Sequence, residues 1–291
     1  MRKAGELCFN GGVATVGELI EAGARRLPRR DSLPDPWREA RWLLARAAGV
    51  SVGWLLLHAD AVLPEETAAR YGDWLERRAA GEPAHHLTGT CSFWGRDFAV
   101  SPAVLVPRPE SELVVAVALE LPLPSTARVL DVGTGSGCLG VTLAAERPGW
   151  SVRAVDRSLS ALEVARRNAG RHGVSLALAC GRLGSCLFGG YELVVANLPY
   201  IPSDRLASLP LEVRHDPALA LDGGADGLDL IRSLLGDLPR LLSPCGGAIL
   251  ELGEDQADEV ARLAGGCGLA VARRVRDLGG CERVVVLKRR T

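Results

Sequence analysis

The sequence predicts an α/β protein, a doubly wound sheet preceded by a helical bundle and a β-hairpin. Three observations carry this. From Thr126 onward, apolar runs of strand length alternate with amphipathic runs of helix length, the pattern of a buried, mostly parallel sheet covered on both faces. Its first strand, Arg128-Val129-Leu130-Asp131, leads into Gly133-Thr134-Gly135-Ser136-Gly137 and then a helix, the strand–turn–helix order of Rossmann-like ligand sites. Before Gly81 the apolar residues recur only with helical spacing.

The helices come first. Thr15 and Glu18 have the spacing of a capping box, followed by Leu19, Ile20 and Leu27 on one face. Asp35-Pro36 sets a cap before a first-turn proline. Trp37, Ala40, Leu44 and Ala48 then line one side, and Gly49 stops the helix. A third helix is predicted from Pro64 to Ala80, with Ala68, Tyr71 and Leu75 inward and Gly81 as terminator. Trp37, Trp42, Trp54 and Trp74 are read as core of a bundle of four such helices.

Between His86 and Val104, Phe93-Trp94-Gly95-Arg96-Asp97-Phe98 reads as a β-hairpin turning at glycine. Strands are then predicted at Val152–Asp156, Val174–Ala179, Glu192–Ala196 and Ala248–Leu252, and helices at 138–146, 159–172, 228–242 and 256–264. Leu269–Arg274 and Arg283–Leu287 close the chain as an antiparallel edge hairpin. The predicted domains are a helical recognition domain over 1–84, a hairpin linker over 85–106 and a ligand-binding domain over 107–291.

Bulk properties narrow the function. The 291 residues carry a formal net charge of −1, so no global field draws the chain to nucleic acid or membrane. Lys3 and Lys288 are the only lysines, a composition read as genomic bias. Eight cysteines form no C-x-x-C pair and have no histidine cluster beside them, so no zinc site or disulfide framework is expected. They suit a reducing, cytoplasmic setting. The first twelve residues lack the apolar core of a signal peptide, and no apolar run reaches membrane-spanning length.

The glycine run has the spacing G-x-G-x-G rather than G-x-G-x-x-G, and its acidic residue, Asp131, precedes the glycines. Gly133, Thr134, Gly135 and Gly137 let a ligand approach the main chain, and the helix behind them offers N–H groups to a carboxylate. Asp131 suits a cationic amino-acid tail such as that of S-adenosylmethionine. A nucleotide-binding or empty turn of the same fold shares these features. Asp156 ends the next strand, where an acid accepts both ribose hydroxyls; a helix N-cap is the plainer role. Neither residue separates this cofactor from NAD.

The third element is Asn197-Leu198-Pro199-Tyr200, after a very apolar strand. It resembles the N/D-P-P-Y signature of methyltransferases that alkylate planar nitrogens. An amide nitrogen is a poor nucleophile because its lone pair is delocalised. The Asn197 oxygen and the Leu198 carbonyl suit its two N–H groups, orienting the nitrogen as the transition state forms. Pro199 biases Leu198 toward an extended conformation, and Tyr200 suits packing on a planar group. A strand-ending turn is the competing reading. No metal is required.

From Trp37 to the C-terminus the chain resembles the HemK/PrmC family of release-factor glutamine methyltransferases. The matching segments are Gly81-Glu82-Pro83 with His86-Leu87-Thr88-Gly89, Phe93-Trp94, Val106-Pro107-Arg108-Pro109-Glu110-Ser111-Glu112, Asn197 to Ile201, Glu212-Val213-Arg214, Gly223 to Gly227, and Glu251-Leu252-Gly253. The resemblance implies a class I methyltransferase sheet with an N-terminal helical domain. It implies S-adenosylmethionine as cofactor and S-adenosylhomocysteine as product. The implied substrate is the glutamine of the Gly-Gly-Gln motif in class I release factors, bound by a monomer without nucleic acid or membrane. It places Arg108 and Glu112 near the substrate mouth; a rigid linker with local pairing by Glu112 is the alternative. Two departures stand out. Leu198 replaces the family's first proline, a form also found in rRNA adenine dimethyltransferases. Cys180-Gly181-Arg182-Leu183-Gly184 lacks the acid expected near the adenine. The rivals are an N6-adenine methyltransferase of rRNA or DNA, a glutamine methyltransferase of another protein such as a ribosomal protein, and a non-catalytic docking protein.

Overall fold

The computed structural model describes residues 14–30 and 35–290; the N-terminal stretch read above, with Cys8, lies outside them. The chain divides into two compact units, Met1–Gly89 with Pro210–His215, and Thr90–Leu209 with Asp216–Thr291.

The first unit is helical: α1 (Val16–Arg26), α2 (Pro36–Ala48), α3 (Val52–Leu57), α4 (Glu65–Ala79) and α5 (Ala84–Thr88). The capping box forms, with Thr15 N–H donating to Glu18 Oε2 at 2.9 Å. Asp35 Oδ1 accepts from the backbone of Trp37 and Arg38, and Gly49 ends α2 in the left-handed region. The core contains Leu19, Leu43, Leu44, Leu55, Tyr71 and Leu75. Two short helices, α3 and α5, join the three placed from the sequence, giving five among the described residues where a bundle of four was expected. The expected stripe of α2 is shifted. Ala40, Leu43, Leu44 and Ala47 are buried, whereas Trp37 is 45% exposed. Trp37 sits in the first turn, at the end of the stripe that packs on α1 and α4. Trp42, Trp54 and Trp74 pack half-buried against the core.

Arg78 is the charged centre of this unit. It is 3% exposed, with Nε 2.6 Å from Glu39 and Nη2 2.6 Å from Glu212. A buried cation needs such partners to offset its lost hydration. Arg78→Ala strands both carboxylates. Denaturant titration should show a loss of about 3 kcal/mol; a loss under about 1 kcal/mol would contradict this account.

The second unit opens with a hairpin, β1 (Thr90–Phe93) and β2 (Arg96–Ala99). Trp94 and Gly95 both have positive φ at its turn, as a tight two-residue hairpin requires. Phe93 and Phe98 belong to the same buried cluster as Val114, Val117 and Val129. The hairpin is thus part of this unit's core, and the division falls at Gly89. A 3₁₀ turn, Pro109–Ser111, leads into α6 (Glu112–Glu120). This helix was not anticipated. Leu-Val-Val-Ala-Val-Ala-Leu is apolar on every side, so it shows no amphipathic period.

The remaining elements are β3 (Arg128–Val132), α7 (Cys138–Glu146), β4 (Ser151–Asp156), α8 (Leu159–Arg171), β5 (Ala177–Cys180) and β6 (Tyr191–Ala196). Then come α9 (Asp229–Leu241), β7 (Leu242–Glu251), α10 (Ala257–Gly266), β8 (Leu269–Arg276) and β9 (Glu282–Arg289). The seven strands run in the order β5-β4-β3-β6-β7-β9-β8. The first five are parallel; β9 is antiparallel to both neighbours, so the predicted edge hairpin forms. Strand order reverses between β3 and β6, the switch point at which open α/β sheets hold ligands. No helix among the described residues is long and apolar enough to cross a membrane.

Candidate active site

A cavity opens at the carboxyl ends of β3, β4 and β6. One wall is the turn Gly133 to Ser136. Asp156 stands beside it, and Asn197, Leu198 and Pro199 form another wall. The two strand ends meet because Val132 pairs with Ala196 in the parallel register.

The glycine turn rests on its two acids. Gly133, Gly135 and Gly137 all have positive φ, open to glycine at little cost. Asp131 Oδ2 accepts from Thr134 Oγ1 at 2.6 Å and from Gly140 N–H at 3.0 Å. Asp131 is 1% exposed, and burial pushes its carboxyl up to about 6 despite those two donors. It lies behind the turn rather than on the cavity wall. Asp156 Oδ2 accepts from Gly135 N–H and its Oδ1 from Ser158 N–H, both at 2.9 Å. Ser158, not Asp156, is the N-cap of α8. Gly137 starts α7 and is not on the wall.

Asn197 donates Nδ2–H to Ser111 Oγ at 2.9 Å. Leu198 is 4% exposed and joins the apolar core under the sheet. Its side chain leans on the glycine turn, where a Cβ on Gly133 would lie 2.9 Å from it. Tyr200 follows at the end of this segment. Its ring is not on the cavity wall; it packs toward Gly253, and burial pushes its hydroxyl up to about 12. Its carbonyl accepts from Gln256 Nε2 at 3.0 Å, and Gln256 Oε1 accepts from Gly253 N–H at 2.9 Å.

Arg108 lines the cavity and pairs with Asp216 at 2.6 Å. Asp216 also accepts from Val106 N–H, so one buried acid fixes both ends of the Val106–Arg108 segment. Glu112 goes elsewhere: its Oε1 accepts from Trp94 N–H at 2.6 Å, at the hairpin turn. This is the local pairing considered above. Arg182 and Leu183 line the cavity below β5, so an apolar side chain and a cation stand where an acid was expected. Among the described residues there is no cluster of His, Cys, Asp and Glu suited to a metal.

Sequence reasoning gave no role to four residues that the geometry singles out: Ser111, Asp216, Glu251 and Gln256. Their segments match the family pattern or lie beside it, but a buried contact leaves no spacing signal. Glu251 is the sharpest case. It is 1% exposed at the end of β7, and burial pushes its carboxyl up to about 7, against the pull of Ser111, Arg283 and Asn197.

Known proteins match this arrangement closely. The family model for the PrmC N-terminal domain matches residues 18–89, and that for the methyltransferase small domain matches 111–207. A release factor glutamine methyltransferase of Bradyrhizobium diazoefficiens is 42% identical over 93% of this chain and 95% of its own. The chain belongs to the release factor glutamine methyltransferase family. The homologue of Geobacter sulfurreducens is also 42% identical, over 85% of this chain and 87% of its own. Among solved structures, a methyltransferase from Pyrococcus furiosus shares the fold, with a TM-score of 0.53 at 19% identity over 69% of this chain and 92% of that one.

The loop Gly223 to Gly227 braces the family's Asn-x-Pro-Tyr turn from outside. Gly227 has φ +75°, and a Cβ there would lie 2.2 Å from the Tyr200 carbonyl. Gly227→Ala should therefore destabilise the second unit by about 2 kcal/mol. A shift under about 0.5 kcal/mol in a denaturant titration would show that the loop yields freely.

Proposed function

We propose that this protein transfers a methyl group from S-adenosylmethionine to the side-chain amide nitrogen of glutamine in the Gly-Gly-Gln motif of class I peptide chain release factors. The carrying observation is Asn197 on the wall of a cavity shared with the glycine turn, in a chain of this family. We further propose that the chain acts as a monomer in the cytoplasm and needs no nucleic acid. The formal net charge of −1 supports a protein substrate over a polyanion.

The residues present fit the cofactor. The first turn of α7 offers N–H groups to its carboxylate. Asp131 supplies negative potential for its ammonium. Asp156 suits its ribose hydroxyls, and Val155 and Leu183 give the adenine an apolar bed. When bound, the cofactor supplies an electrophilic methyl group on sulfonium.

The protein's part is orientation. Asn197 Oδ1 accepts one N–H of the substrate amide, and the Leu198 carbonyl accepts the other. These acceptors favour the nitrogen lone pair turning out of conjugation as the N–C bond forms. Pro199 fixes the direction of the Leu198 carbonyl. Leu198 keeps this function without the family's proline, because its buried side chain anchors the backbone in place of a ring. Arg108, held by Asp216, provides a cation at the mouth for the incoming peptide. The amide proton leaves once the methyl is in place, so no strong base is needed beforehand.

Asn197→Ala should lower kcat with release factor on the order of 10²–10³-fold and leave the cofactor dissociation constant nearly as it was. Equal losses in turnover and cofactor binding would contradict the role of Asn197. Asp131 makes a pH prediction. With its apo carboxyl near 6, the anion that attracts the ammonium is present above that pH. It is lost as pH falls, so cofactor affinity should drop through pH 6. Asp156 is the charged group facing it, and Thr134 and Gly140 are its donors. An Asp131→Asn variant should bind more weakly and without this pH limb; a limb that persists would place the titration elsewhere.

A further inference from the structure

An asparagine side chain has a carbonyl on one side and an NH₂ on the other. If Asn197 were turned over, it would present donors to a substrate amide that itself offers donors. Something must fix which way it faces. Ser111 is the observed partner: its Oγ accepts from Asn197 Nδ2 at 2.9 Å. A hydroxyl alone does not settle the matter, because it both donates and accepts.

Glu251 breaks that ambiguity. Ala196 of β6 pairs with Leu250 of β7, so Asn197 and Glu251 are the next residues along two adjacent parallel strands. Glu251 is buried, and Ser111 and Asn197 lie near enough to its carboxyl to favour its charged form. In its ionised form the Glu251 carboxyl only accepts, so it would take the Ser111 hydrogen and leave an Oγ lone pair for the Asn197 NH₂. Glu251 Oε2 has no hydrogen-bond partner, so acceptor capacity is in excess there. Glu251 is not on the cavity wall and acts only through its neighbours.

We propose that Glu251 is a positioning residue for methyl transfer: with Ser111 it holds the Asn197 NH₂ inward and so turns Asn197 Oδ1 toward the substrate amide. The proposal rests on the reading of Asn197 as the amide acceptor. It explains why a carboxyl is kept in an apolar strand end with Arg283 as its nearby cation and Glu110 as a repelling neighbour, at a real cost in desolvation.

The test uses the full chain, S-adenosylmethionine and purified release factor. It compares Glu251→Ala, Glu251→Gln, Asn197→Ala and the double variant Asn197→Ala/Glu251→Ala. Glu251→Ala should lower kcat on the order of 10–100-fold by misaligning the acceptor, with the cofactor dissociation constant changed by less than about 3-fold. Glu251→Gln, whose amide both donates and accepts, leaves the ambiguity in place and should also lower kcat, by about 5–10-fold. The double variant should be no slower than Asn197→Ala alone, because the two residues act as one unit.

Full kcat in Glu251→Ala beside a slow Asn197→Ala would overturn this proposal and leave the role of Asn197 standing. Full kcat in Asn197→Ala would overturn both. Multiplying losses in the double variant would assign Glu251 an independent role and overturn the coupling. If Glu251→Ala fails to fold, the glutamine variant decides: folded, cofactor-bound and at full kcat, it would refute the proposal.

Discussion

The structure of the second unit depends on one register, the parallel pairing of β3 with β6 that sets Val132 beside Ala196. Each strand then ends in a feature that is useful only next to the other. β3 gives the glycine turn with its anion-binding helix, and β6 gives Asn-Leu-Pro-Tyr. Because strand order reverses here, no crossover helix covers the gap, and a cavity forms between the two turns. A slip of β6 by one residue would turn Asn197 to the opposite face. Leu193 to Ala196 are buried on both faces of the sheet.

Around this junction the protein concentrates buried carboxyls that a stability argument alone would not favour. Asp131 and Glu251 are each about 1% exposed, with pKa values raised by burial to about 6 and about 7. Each faces the main chain or side chain of one of the two turns. Asp131 braces the glycine turn through Thr134 and Gly140; Glu251 faces the Asn197 amide and Ser111. Buried acceptors of this kind give direction to donors that would otherwise rotate. The catalytic demand on an orienting site is of the same kind: angles rather than strong acid or base groups.

The sequence was most informative where chemistry and period coincide. The glycine run, Asp156 and Asn197 could be read directly, because a turn residue, a strand-end acid and a polar break after an apolar strand each occupy a fixed place in a β-α unit. The capping residues Thr15 and Asp35 were legible for the same reason. Helix α6 was not, since a helix apolar on every side has no moment. The packing of Tyr200 toward Gly253 was not legible, because Gly253 and Gln256 come from a segment more than fifty residues away. Glu112 and Arg108 looked equivalent in the sequence. Only the fold separates them, one onto a hairpin turn and one onto the cavity.

The central claim is that the planar nitrogen presented to this cavity belongs to a glutamine in a protein. Its most direct test is transfer of labelled methyl from S-adenosylmethionine to purified release factor, wild type against a Gln-to-Ala change in the Gly-Gly-Gln motif, with ribosomal RNA as a parallel acceptor. The account predicts label on the wild-type factor alone. Label on the RNA, or undiminished label on the altered factor, would contradict it.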